Sequence, residues 1–274
     1  MTRHVSDIFD LRGRVAAVSG GYGVLGGVLA SSLAAAGARV AVIGRKAAAA
    51  EDKAAAIRSS GGVAMPVVAD VTDETAIRDG CDEVVRAWGQ VDILINAAGG
   101  NVPAARNDNR SIFDVPLSAF DEVMRLNLHG TVVPTMVFGR AMAERGSGVI
   151  VNISSMAATQ SLTGLLGYSV AKAGVESLTR WLAMDLARRY GAGLRVNAVA
   201  PGFFLGNQNR ALLVNADGSY TPRGRTVVDR TPMGRFGQAD ELIGPVHWLC
   251  SDAASFVTGV VVPVDGGFSV FSGV

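Results

Sequence analysis

Val15-Ala16-Ala17-Val18-Ser19-Gly20-Gly21-Tyr22-Gly23-Val24-Leu25-Gly26 is the stretch that decides the fold. A short run of small and β-branched residues reads as a strand, and residues 24–36 carry a helical apolar rhythm. Between them the glycines let the chain turn sharply and approach a pyrophosphate. Such a group would rest on the helix N-terminus, where free N–H groups and the dipole favour anions. Ser19, Gly20, Tyr22, Gly23, Val24 and Leu25 are therefore candidate cofactor contacts. A glycine-rich turn by itself is often only a tight loop. Its place at the first strand-helix junction is what points to a nucleotide.

Outward from that turn the pattern repeats. Candidate strands at 15–19, 39–43, 64–68, 92–96, 148–153, 194–199 and 260–264 alternate with amphipathic stretches at 24–36, 47–60, 74–88 and 120–144. This predicts an α/β fold, a doubly wound parallel (Rossmann) sheet of about seven strands with helices on both faces. No repeat or compositional break divides the 274 residues, so one dinucleotide-binding and catalytic domain is expected over 1–274. Residues 203–236 depart from the alternation, being polar and rich in Arg, Asn and Gly, and read as a substrate lid within that domain.

Composition narrows the function. Hydrophobic residues make up 49% and charged residues 18%, which suits a packed globule. A net charge of +1 implies no general attraction to nucleic acid or an acidic membrane. Two cysteines and three histidines offer no disulfide framework or metal-ligand spacing, so no metal is expected. With no apolar run of membrane length and a mixed polar start, the reading is a soluble protein of a reducing cytoplasm.

The second dense signal is Gly167-Tyr168-Ser169-Val170-Ala171-Lys172-Ala173-Gly174. Tyr168 and Lys172 fall one turn apart on one helix face. A phenol titrates near 10, too high for acid-base work at neutral pH, and a cation held close should lower that value. Alone, such a pair is usually a packed ring beside a solvated ammonium.

At the end of the second strand, an NAD site usually carries an acidic residue for the ribose hydroxyls. This chain has Gly44, followed by Arg45 and Lys46. With no carboxylate to repel it, a 2′-phosphate fits there, and Arg45 offers a bidentate partner. The alternative is that Arg45 and Lys46 only start a solvated helix. NADP is favoured over NAD, and Gly44→Asp with Arg45→Ala should shift the preference.

Taken in order, these motifs resemble the one-domain short-chain dehydrogenase/reductases over about 13–267. The carrying residues are the glycine turn, Asp70-Val71, Asn96-Ala97-Ala98-Gly99, Asn127, Ile153-Ser154-Ser155, Tyr168 with Lys172, and Pro201-Gly202. The resemblance implies that Tyr168 is the general acid-base and that Lys172 binds the nicotinamide ribose and, with the positive charge of the oxidised cofactor, depresses the tyrosine pKa. By the same resemblance Ser155 hydrogen-bonds the reacting oxygen, and Asn127 holds a water against Lys172. Asp70 and Val71 would meet the adenine, Asn96, Ala97 and Gly99 would line the cofactor groove, and Pro201 and Gly202 would shape the nicotinamide pocket. Ser154 should point the opposite way from Ser155 if the strand is still extended there. The turn departs from the family's usual spacing, with Val24 where a glycine is common. Phe203-Phe204-Leu205-Gly206 replaces a frequent threonine after the Pro-Gly pair.

For the substrate, Asn101, Asn207, Asn209 and Arg210 are the candidates, with Gln208, Arg223, Arg225 and Arg230 nearby in sequence. Amides and guanidinium groups suit a polyhydroxylated, anionic ligand. Residues 96–101, 201–205, 207–210 and 231–237 together are similar to a narrower branch of that family, the D-mannonate oxidoreductases, or fructuronate reductases. That likeness implies reduction of a keto group in a sugar acid, with polyol and gluconate 5-dehydrogenases sharing most of the pocket logic. Two other readings are a 3-oxoacyl thioester reductase, which should show an apolar acyl channel, and a catalytically silent nucleotide-binding sensor. The resemblance also implies a homotetramer, with helix faces bearing Leu178, Trp181, Leu182 and Met184 paired and the tail at 268–274 near another interface.

Overall fold

Along the first strand Ala16 and Val18 face one apolar cluster while Val15 and Ala17 face another. Period-two alternation with apolar residues on both sides demands cover on both faces of the sheet. A computed structural model, which describes residues 4–108, 110–206 and 209–273, supplies that cover. The strands are Val15–Ser19 (β1), Arg39–Gly44 (β2), Val63–Val68 (β3), Ile93–Asn96 (β4), Gly148–Ile153 (β5), Leu194–Pro201 (β6) and Val261–Val264 (β7). They form one sheet in the order β3-β2-β1-β4-β5-β6-β7, with every neighbouring pair parallel.

The helices are Val5–Ile8 (α1), Val24–Ala35 (α2), Ala47–Ser59 (α3), Glu74–Trp88 (α4), Leu117–Met124 (α5), Gly130–Arg145 (α6), Leu166–Tyr190 (α7), Arg210–Leu213 (α8), Pro222–Asp229 (α9) and Ile243–Cys250 (α10). One face packs Leu29 and Leu33 of α2, Ile57 of α3, and Val246 and Leu249 of α10. The other packs Ile77 and Val84 of α4, Phe138 and Met142 of α6, and Leu182 of α7. Each such Leu, Ile or Val contributes about 1.5–3 kcal/mol when fully buried, so the two clusters outweigh any surface ion pair as determinants of the fold. The winding reverses between β1 and β4, which opens a crevice at their carboxyl ends.

Two expectations need correction. The stretch 120–144 is not one α-helix: α5 passes through a π-helical segment, Arg125–His129, before α6 begins. The Thr131 hydroxyl donates to the Asn127 carbonyl at 3.0 Å within this widened turn, and Pro134 further on has no N–H for the helical ladder. Residues 203–236 are also more structured than a polar loop. They hold α8 and α9, and Leu213, Val214, Val227, Val228 and Phe236 form a small apolar core of their own. The surrounding Arg, Asn and Gly residues hide those few apolar positions from a periodicity reading.

Candidate active site

The glycine turn is built by close approach. Gly20 has φ +64°, and a methyl group there would lie 2.9 Å from Ala97 O and from the Ala98 backbone. A methyl at Gly26 would collide with the Gly20 carbonyl. Gly23 caps α2 without any side-chain hydrogen bond, so the orphan N–H groups of its first turn meet no capping side chain. This uncapped terminus, walled by backbone, fits a dinucleotide pyrophosphate. Buried Ser19 ties the turn to the next crossover, since Ala98 N–H donates to Ser19 Oγ at 3.3 Å. Val24 lies at the mouth, 40% exposed, and a methyl at Gly206 would touch it at 3.6 Å. The segment 203–236 thus begins against the glycine turn.

At the end of β2, Gly44 is covered by the Tyr22 ring, and the Tyr22 hydroxyl accepts from Lys46 N–H at 3.3 Å. Arg45 and Lys46 are exposed. Asp70 accepts from Thr72 N–H at 2.9 Å and from its hydroxyl at 2.8 Å. The backbone bond above all, with Arg45 and Arg125 nearby, holds its carboxyl below the usual range. Val71 is buried, and its side chain lies against Gly130.

Asn96 belongs to the core rather than to the groove. Its amide donates to Thr135 Oγ1 and Asn152 Oδ1 at 2.9 Å, and Asn152 in turn donates to Thr179 at 2.9 Å. This buried ladder stitches β4 and β5 to α6 and α7. Gly202 closes the far side: its N–H donates to Val264 O at 2.9 Å, and a methyl there would lie 2.6 Å from Asp265 Cα. Pro201, just before it, ends β6 and is buried.

Tyr168, Lys172, Ser155, Asn127 and Gly99 converge. Tyr168 and Lys172 stand in the first turns of α7, with the Lys172 ammonium 5.6 Å from the Tyr168 ring centre. Lys172 is 4% exposed and donates to Ile153 O at 2.7 Å. Burial pulls its pKa down to about 8. A methyl at Gly99 would lie 2.7 Å from Asn127 Oδ1 and 3.4 Å from Lys172 Nζ, so glycine leaves the space beside both open. The Ser155 hydroxyl stands near enough to the Tyr168 phenol to lower its pKa, and its Oγ accepts from Ala157 N–H at 3.1 Å. Ser154 turns away, donating to Glu176 Oε1 at 3.1 Å.

Two sequence expectations about this cluster are altered. In the protein alone the phenol is not depressed: burial raises the Tyr168 pKa, and the Ser155 hydroxyl offsets part of that rise. The Lys172 ammonium, 5.6 Å from the ring centre, does not outweigh that burial. Asn127 also does more with its side group than hold a water. It donates to Gly100 O at 2.8 Å and Val123 O at 2.9 Å, and accepts from Gly100 N–H at 3.0 Å. The π segment sets this amide at the right height to clasp that peptide.

The substrate candidates separate. Asn209 is spent on its own turn, accepting from Gly206 N–H and donating to Phe204 O, both at 2.8 Å. Asn207 lies outside the described residues, as does Gln208. Arg210 is exposed and Asn101 half-buried, and no hydrogen bond engages either side chain among the described residues. Arg225 lies over Tyr220, 5.4 Å from the ring centre. Arg223 pairs with Asp108 at 3.2 Å and donates to Thr163 O at 3.3 Å. Asp108 also accepts from Arg106 at 2.6 Å, and a side chain at Gly164 would collide with its carboxylate. Asp108 therefore clasps α9 to the loop that precedes α7. Only its long-range partners mark it. Among the described residues no His, Cys, Asp and Glu group could hold a metal, and no helix is long and apolar enough to cross a membrane.

The chain is similar over nearly all of its length to known oxidoreductases. A family model described as enoyl-(acyl carrier protein) reductase matches residues 23–269. An uncharacterised oxidoreductase, UxuB, of Bacillus subtilis is 40% identical over 275 residues, covering 97% of this chain and 98% of that protein. Among solved structures, a Haemophilus influenzae protein with bound NAD, provisionally named a D-mannonate oxidoreductase, superposes with a TM-score of 0.91. It is 39% identical, with 99% of this chain and 100% of that one covered. A gluconate 5-dehydrogenase from Burkholderia cenocepacia, in complex with NADP and tartrate, gives a TM-score of 0.88 at 34% identity, covering 98% and 100%.

Proposed function

Because the chain belongs to the short-chain dehydrogenase/reductase family, we propose that it interconverts a ketone and a secondary alcohol on a sugar acid of the D-mannonate/D-fructuronate class or a related polyol, with NADP preferred over NAD. The observation that carries this reading is the convergence of Tyr168, Ser155 and Lys172 beside the uncapped N-terminus of α2. A bound nicotinamide dinucleotide supplies the hydride donor or acceptor. The protein supplies the proton and the geometry. Tyr168, held protonated at neutral pH by burial, donates to the carbonyl oxygen in reduction, and Ser155 hydrogen-bonds the same oxygen. Lys172 holds the ribose, and Asn127 fixes the Gly100 peptide that borders it.

The sugar-acid reading rests on Arg210 and Asn101, whose side chains are uncommitted among the described residues, and on relatives named for gluconate or for polyols such as D-threitol. In the lid, Leu213, Val214, Val227, Val228 and Phe236 are spent on its own small core, which favours a polar ligand over an acyl group. We extend the reading to a soluble cytoplasmic homotetramer, supported by Met136, Trp181 and Met184, which are 62%, 59% and 46% exposed on α6 and α7.

A substrate panel of hexuronates, aldonates, polyols and a 3-oxoacyl thioester, with both cofactors, tests the reading; turnover of the thioester alone would overturn it. Within the panel the two lid arginines should behave differently. Loss of a charge-assisted bond costs about 1.5–3 kcal/mol, so Arg210→Ala should raise KM for hexuronates at least tenfold and leave neutral polyols nearly unchanged. Arg223→Ala breaks a part-exposed clasp worth about 0.2–1 kcal/mol. It should raise KM a few-fold for every substrate with kcat almost intact. Equal KM effects of Arg210→Ala on charged and neutral substrates would remove Arg210 from the carboxylate site.

A further inference from the structure

The adenosine end of the cofactor groove has an arrangement that Arg45 alone does not account for. The position after β2 where a ribose-binding carboxylate would stand is Gly44, and the space its side chain would need is filled. A methyl there would fall on the Tyr22 ring, with Cδ1 and Cζ at 2.9 Å and Cε1 closer still. Tyr22 is half-buried against the core cluster behind α2, and its hydroxyl accepts from Lys46 N–H at 3.3 Å. That bond uses one oxygen lone pair and leaves the phenolic proton with no protein acceptor among the described residues.

We infer that Tyr22 is a cofactor-specificity residue: its ring takes the place of the ribose-binding carboxylate, and its hydroxyl donates to the 2′-phosphate. The inference rests on the NADP preference proposed above. Its chemistry follows from donor count. A carboxylate only accepts, and so it selects a ribose diol, which has hydroxyl protons to give. A phenol whose acceptor side is already held by Lys46 N–H presents its proton, which suits an anionic oxygen. Arg45, exposed beside it, adds further donors and positive charge. Tyr22 and Gly44 thus form one unit. A carboxylate cannot enter at position 44 while the ring is there, so Gly44→Asp fails to create an NAD site unless Tyr22 is shortened as well. This revises the expectation that a change at Gly44 with one at Arg45 suffices.

Calorimetric titration of the purified protein with NADP+ and with NAD+ tests this without reference to turnover. Tyr22→Phe keeps the ring and removes only the hydroxyl. It should weaken NADP+ binding about tenfold, as loss of a hydrogen bond to a charged group does, and change NAD+ binding by no more than about twofold. Gly44→Asp alone should weaken both cofactors, and Gly44→Asp combined with Tyr22→Ser should bind NAD+ more tightly than Gly44→Asp does. An unchanged NADP+/NAD+ affinity ratio in Tyr22→Phe would overturn the donor role. Equal NAD+ affinity of Gly44→Asp with and without Tyr22→Ser would overturn the coupling. A wild-type protein that binds NAD+ more tightly would instead overturn the cofactor preference itself, a result separate from either variant comparison.

Discussion

Tyr168→Phe should lower kcat by about two to four orders of magnitude, the usual cost of losing a positioned general acid. The same change should leave the cofactor dissociation constant within about threefold. Only one oxygen is removed. The ring still packs on Val102, Ala105, Ala119 and Val123, so the first turn of α7 keeps its place and Lys172 keeps its bond to Ile153 O. What disappears is the phenol proton, whose pKa burial raises further, together with the hydroxyl's approach to Ser155. A raised phenol pKa also gives the two directions opposite slopes. Reduction uses the protonated form and should persist at neutral pH, whereas oxidation needs a proton acceptor and should rise as pH increases. Steady-state kinetics in both directions, with cofactor binding measured by fluorescence, check the whole expectation. A Phe variant with near-normal turnover removes Tyr168 from the chemistry.

Lys172→Met should have the next largest effect, and it should act on both function and stability. Removing the ammonium takes away the proposed ribose contact, for which a loss of one to two decades in cofactor affinity is expected. The stability effect runs the other way. Burial lowers the Lys172 pKa from 10.5 to about 8, so between those values the unfolded protein binds a proton that the folded protein has released. Folding stability then rises with pH across that window, and the burial cost, of order 3 kcal/mol, is fully present only below pH 8. Methionine never bears that cost. The variant should therefore be more stable than wild type at neutral pH, with the gap closing as pH approaches 10.5. Urea unfolding of both proteins at pH 7 and 9.5 measures this; parallel pH dependences would mean that Lys172 is not the buried cation described.

How much of this could be read from sequence follows from the range of the interactions. The sheet was legible because β1 to β7 are short apolar runs whose neighbours are set by simple winding rules; their bounds differ by a residue or two from the candidate strands. Tyr168, Lys172, Ser155 and the glycine turn are likewise local signals at fixed spacing. What escaped was anything carried by residues distant in sequence. Asp108 meets Arg223 across 115 positions, and Asn127 grips a peptide 27 positions away. Gly44 read as a missing carboxylate, when its lack of a side chain also makes room for Tyr22, 22 positions earlier. Periodicity also hid the π segment at 125–129, since one extra residue in a turn barely disturbs an apolar rhythm. The phenol pKa in the protein without cofactor departs from the expected direction for a related reason. Sequence places a cation beside Tyr168 but says nothing of how far burial opposes it.

The central claim is that these residues serve hydride exchange with a sugar-acid carbonyl. It is tested most directly by a single-turnover reaction with NADPH deuterated at the transferable position and D-fructuronate, analysed by mass spectrometry and proton NMR. The account predicts one deuterium on the carbon that bore the ketone, formed in step with the loss of reduced-nicotinamide absorbance and abolished in Tyr168→Phe. Deuterium retained by the cofactor, in protein shown to bind both ligands, would contradict it.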